Sequence, residues 1–164
     1  MEFFTQAIFM NEIRLQCKAA IVGHTALQDA ADRDDVWIAL QTILVAAANI
    51  SKLLWGSGDD ATRRAPLRVR CGITDSSPLK DRRIRDAFEH FDRDFETWWL
   101  QADHSQPVAY AGRNIGPSTF DPKSEFHHYD PDTRVVTFGD HAVSIPKLMA
   151  EIDALYPAMQ AFLP

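Results

Sequence analysis

Within nine consecutive positions the chain carries Arg82, Arg83, Arg85, Asp86 and His90. These side-chain types can do chemistry together. An imidazole titrates close to neutral pH and can take or give a proton there. A guanidinium offers a planar fork that grips phosphate oxygens through two parallel hydrogen bonds. A carboxylate four residues before a histidine on a helix can bond the ring, fix its tautomer and raise its pKa. The combination describes a proton-transfer centre beside a bound oxyanion. The same residues also fit ordinary intrahelical ion pairs, each worth about 0.2–0.5 kcal/mol on a solvated face.

The charge around this cluster is lopsided. Eight of the 17 basic residues lie between Arg63 and Arg85, with only Asp75 and Asp81 against them, so the window carries +6 and the remainder −12. Arg68, Arg70, Lys80, Arg82 and Arg83 are thereby candidates for holding a polyanion backbone, although the chain as a whole is acidic at −6. The alternative is a solvated basic loop paired with acidic neighbours.

Helices must position these groups. Apolar residues at helical spacing predict a first helix over 3–30, with Phe4, Ile8, Leu15, Ala19, Val22 and Ala26 on its stripe. A second runs from an N-cap at Asp34 to Gly56. Its middle is apolar nearly all round, through Val45, Ala46 and Ile50, as in a central helix or one shared with a partner chain. Residues 57–77 read as a connecting loop. Pro78 opens a third helix reaching Ala102, whose stripe of Ile84, Ala87, Phe88, Phe91, Phe95, Trp98 and Trp99 is expected in the core. Arg83, Asp86, His90 and Asp94 share one flank of that stripe, and Arg85 lies on the other near Glu89.

An irregular loop is expected over 103–124, rich in Pro, Gly, Ser and Asn. An antiparallel β-meander follows over 125–145, turning at Asp130-Pro131-Asp132-Thr133 and at Gly139-Asp140. A last helix over 146–163 uses Leu148, Ile152, Leu155, Met159 and Phe162. The expectation is a single mainly α domain over 1–164, with a helical core over 1–102.

Arg85-Asp86-Ala87-Phe88-Glu89-His90 resembles the R-[polar]-x-x-x-H motif of the HEPN superfamily. The resemblance extends to two long helices before the motif and aromatics after it, over residues 1–102. It implies an antiparallel helical bundle that forms a homodimer, with the third helix near the two-fold axis. It also implies a metal-independent endoribonuclease without cofactor, of toxin or defence type. Within that implication His90 is general base or positions the 2′-hydroxyl, Arg85 binds the scissile phosphate, and Asp86 orients His90. The product is a 2′,3′-cyclic phosphate. Arg83 also meets the spacing and stands as an auxiliary. RNA is the implied substrate, and an antitoxin or regulatory protein is a further partner the resemblance allows. Some members are non-catalytic, so a helical interaction or scaffold module remains the second reading.

Other signals are weaker. Cys17 and Cys71 make neither a disulfide framework nor a zinc spacing. His127 and His128, on a strand, point to opposite faces and make poor joint metal ligands, so a surface pair on a hairpin is expected. His104 and His141 read as isolated loop residues. The longest apolar run, 43–50, is short for a bilayer, and MEFFTQ lacks a basic leader, so a soluble cytoplasmic protein with no membrane partner is expected.

Overall fold

Asp32 starts the second helix by accepting the Asp35 amide on Oδ1 at 2.9 Å, satisfying a donor that a helix N-terminus leaves open. In this computed structural model, which describes residues 3–81, 83, 90–102, 113–117, 121, 125–139 and 141–160, that helix (α2) spans Arg33–Trp55. It begins just ahead of the expected Asp34, which lies instead in the first turn with Asp35 and complements the helix dipole. The preceding helix, α1, spans Phe3–Gln28. Gly23 lets the two approach closely: a Cβ there would stand 3.1 Å from Thr42 and Ile43 side-chain atoms.

The inner face of α1 is not the expected one. Met10, Ile13, Cys17 and Ala20 are buried, whereas Ile8, Leu15 and Val22 face outward. Both sets recur at helical spacing, about 180° apart on the helix, so periodicity alone does not choose between them. The side chain of Phe4 lies outside the described set. In α2, Trp37, Leu40, Ile43, Leu44, Ile50 and Leu54 are buried, as is Ala46, while Val45 is exposed. α2 is long and apolar enough by length and composition to cross a membrane, with mean hydropathy 1.5 over its best window. Of that window 56% is buried within the fold, as in a core helix.

The expected loop over 57–77 contains two short helices, α3 (Asp60–Arg63) and α4 (Ala65–Arg70). Leu67, Cys71 and Ile73 are the apolar anchors that tie this polar stretch down. The third helix is also not continuous from Pro78. Residues Pro78–Lys80 form one 3-10 turn, started by Ser77 and anchored by buried Leu79, and Asp81 is extended at φ −72, ψ 115. His90 departs from helical values at φ −114, ψ 27, and a helix, α5, then runs over Phe91–Gln101. Residues 82 and 84–89 lie outside the described set.

The strands make a four-stranded mixed sheet in the order β1 (Arg113–Ile115), β2 (His127–Asp130), β3 (Val135–Phe138) and β4 (His141–Ser144). β2–β3–β4 is the expected antiparallel meander. β1 comes from the stretch expected to be irregular and pairs with β2 in parallel, Arg113 opposite His127. His141 accordingly opens a strand instead of sitting in a loop; His104 is not among the described residues. At the 131–134 turn Asp130 Oδ1 accepts the amides of Asp132 (2.9 Å) and Thr133 (3.3 Å). The Thr133 hydroxyl first, and with it those two amides, hold its carboxyl below the ordinary range. The last helix, α6, spans Ile145–Gln160 and buries the expected Leu148, Ile152, Leu155 and Met159. Phe162 is beyond the described residues.

The fold is thus mainly helical with a small mixed sheet and a C-terminal helix. Its contacts divide into two compact units, residues 1–82 with 147–164, and residues 83–146. α5 therefore belongs with the strands and not with α1 and α2 in one bundle. The reason is its aromatic face: Phe91 and Phe95 meet Phe126 at 5.9 and 5.6 Å between ring centroids. None of the α5 side chains is fully buried, and Trp99 is exposed, which corrects the expectation of an aromatic core stripe.

Candidate functional site

An α-helix leaves its last carbonyls without intrahelical donors, and α2 ends within the first unit at Trp55. The basic window supplies those donors. Arg64 Nη1 donates to the carbonyls of Lys52 and Leu53, and Arg68 Nη1 donates to Leu54 (2.8 Å) and Ala61 (2.9 Å). Both guanidiniums also lie over rings, Arg64 over Phe9 and Arg68 over Trp55. Gly56, at φ 60, makes the close turn possible, because a Cβ there would come 2.5 Å from that of Asp60 and 2.9 Å from the Arg64 guanidinium carbon. Cations at a helix C-terminus also face the negative end of its dipole.

Asp75 gathers the remaining charge. It accepts the Trp55 indole N–H at 2.8 Å, lies 3.3 Å from Lys80 Nζ and 3.7 Å from Arg68 Nε, and is held below the ordinary carboxylate range chiefly by the indole bond. Arg63 and Arg64 pair with Asp60. Of the expected phosphate-binding residues in this unit, Arg68 is therefore engaged with α2 and only 14% exposed in its side chain, and Lys80 is ion-paired. Arg70 is exposed and bonds Gln6 at 3.3 Å.

In the second unit, Arg83 and His90 are both exposed. His90 makes no side-chain cap bond, while its carbonyl accepts the Asp94 amide at 2.9 Å to begin α5. Asp94, expected on the same flank, bonds its neighbour Arg93 at 2.8 Å. Asp92 and Asp94 in the first turn complement the dipole from within the helix. Arg82, Arg85 and Asp86 lie outside the described residues. The expected Asp86–His90 pairing therefore lies outside the described residues as well.

The two strand histidines are not a surface pair. His127 is fully buried, with Phe126 at 4.3 Å, Phe138 at 4.5 Å and Phe91 at 5.6 Å between centroids. Burial, reinforced by Arg113, depresses its pKa to about 3, so it is a neutral aromatic filler. His128, on the opposite face, is buried with Nδ1 2.9 Å from Glu125 Oε2. A signal for this is present: in FHHY, His127, His128 and Tyr129 put ring-sized side chains on both faces of a strand, which marks a covered sheet. Among the described residues no group of three or more His, Cys, Asp or Glu could hold a metal ion. Cys17 and Cys71 are buried thiols, raised chiefly by desolvation to about 12 and about 11, and so unreactive at neutral pH.

Compared with known proteins, the chain matches no family profile, no curated protein sequence and no solved structure. The functional reading rests on its residues and their placement.

Proposed function

We propose that this protein is a metal-independent endoribonuclease of HEPN type, acting in the cytoplasm as a homodimer. The observation that supports it is the Arg85–His90 pattern with its histidine on the surface: His90 is exposed and makes no side-chain cap bond to the helix that follows it. An accessible imidazole can remove the proton from an RNA 2′-hydroxyl, and an arginine can stabilise the charge developing on the phosphorus oxygens. Arg85 takes the phosphate and Arg83 assists, with Asp86 as the orienting carboxylate. A toxin or defence role follows from the same resemblance, with an antitoxin or regulatory protein as counterpart.

A second reading, a non-catalytic helical interaction module, is favoured by a different observation. Arg64, Arg68 and Lys80 are already engaged by helix carbonyls and carboxylates, which leaves fewer cations for an RNA backbone.

Incubation with single-stranded and structured RNA in EDTA, followed by analysis of the new ends, separates the two. The nuclease reading expects 2′,3′-cyclic phosphate ends and no need for metal. Arg85→Lys should retain only part of the rate, because an ammonium cannot grip a phosphate bidentately. Absence of cleavage of any RNA, together with a large loss of stability in Arg85→Ala, decides for the module.

A further inference from the structure

α1 carries two apolar faces, and only one is used within its own unit. Ile8, Leu15 and Val22 recur every seventh residue and are 52%, 44% and 59% exposed. On α2, Ile38 and Val45 repeat the same interval and are 65% and 42% exposed. The two rows lie on one side of the hairpin, since Ala19 of α1 and Ile38, Thr42 and Val45 of α2 line a shared open groove. Seven-residue spacing supplies one of the two apolar positions of a heptad, and Ala19 and Ala26 supply the other on α1, the arrangement by which helices set knobs into the holes of a facing helix. From Val36 to Ser51, α2 has no charged residue at all.

We propose that this outer α1/α2 face is the interface through which two copies of the chain pair, as a four-helix arrangement of two hairpins. The proposal rests on the homodimer part of the preceding reading and is independent of cleavage. It moves the contact away from the third segment, where the family resemblance would put it. Size supports a second copy. Helices of 26 and 23 residues, at 1.5 Å per residue and about 10 Å across, present about 700 Å². A standard protein interface buries about 800 Å² on each partner. A two-helix face with the same repeat on both helices is also complementary to itself under two-fold rotation. The charges beside the rows are of both signs, Glu12, Asp34 and Asp35 against Lys18 and Lys52, where a helix seeking an anionic lipid surface would present mostly Lys and Arg.

Sedimentation velocity of the full chain tests this. Wild type is expected to be a dimer at micromolar concentration. Leu15→Glu combined with Ile38→Glu should raise the dimer dissociation constant about a hundredfold or more, through lost apolar contact and like-charge repulsion, with the helical circular dichroism unchanged. Should that variant unfold, Val22→Gln with Val45→Gln is the milder probe, expected to weaken pairing about tenfold. A wild-type dimer that both variants leave intact overturns this interface while sparing the homodimer reading. A wild type that stays monomeric at high micromolar concentration overturns both.

Discussion

The two units treat polar groups in opposite ways. In the first, the buried polar side chains among the described residues are the hydroxyls of Ser51 and Ser77, and ionised groups gather at the end of α2. In the second, His127, His128 and Asp130 are buried in one strand, with rings packed around His127. A hydroxyl does not titrate in the physiological range, whereas an imidazole kept neutral by burial takes up a proton near pH 6.5 once its unit unfolds. The first unit should therefore be indifferent to mild acid and the second sensitive to it. Two tryptophans fall in each unit, Trp37 and Trp55 against Trp98 and Trp99, so fluorescence can follow them separately.

The largest effect expected is from Phe138→Ala, which removes a buried ring against His127 and should destabilise the second unit by about 3–5 kcal/mol. In denaturant, emission from Trp98 and Trp99 should change well before the helical signal of α1 and α2. A single coincident transition would break the comparison, because it would mean that the units unfold as one.

Acid comes next. His127 has a folded pKa of about 3 against an ordinary 6.5. Because the folded value is the lower one, the unfolded chain binds a proton that the folded chain refuses between those limits. Stability is fully present above about pH 6.5 and falls as pH drops, by up to about 1.4 kcal/mol per pH unit. His127→Phe, a ring among rings, should flatten that slope. Chemical denaturation of the two proteins from pH 7 to 4, read at Trp98 and Trp99, measures it; equal slopes would remove His127 as the cause.

The smallest effect separates two arginines of one basic window. Arg68→Ala leaves the carbonyls of Leu54 in α2 and Ala61 in α3 without their guanidinium donor and should cost about 1.5–3 kcal/mol, as charged hydrogen bonds do. Arg70→Ala, at an exposed position, should stay within about 0.5 kcal/mol. Thermal melts of the pair check the difference.

Much of the architecture was legible in the sequence, because α1, α2, the meander and α6 carry strong periodic patterns. The inward face of α1 is not legible, because the helix has two apolar stripes and no local rule says which one faces α2. β1 leaves no trace in the pattern, because three residues paired in parallel with another strand have no alternation to read. By charge alone Arg68 groups with ligand-binding cations, yet basic residues just beyond a helix C-terminus are ordinary partners for its carbonyls. The apolar stripe of 84–99 reads as one continuous helix from Pro78, whereas Asp81 is extended and His90 departs from helical values. Surface His90, by contrast, was readable as a polar residue off the aromatic stripe.

The sharpest single test is the RNA-cleavage rate per folded molecule of His90→Ala beside that of Arg68→Ala. The account predicts that His90→Ala melts like wild type and cleaves nothing, while Arg68→Ala melts earlier and, below its transition, cleaves at a rate close to wild type. Cleavage retained by His90→Ala would contradict it.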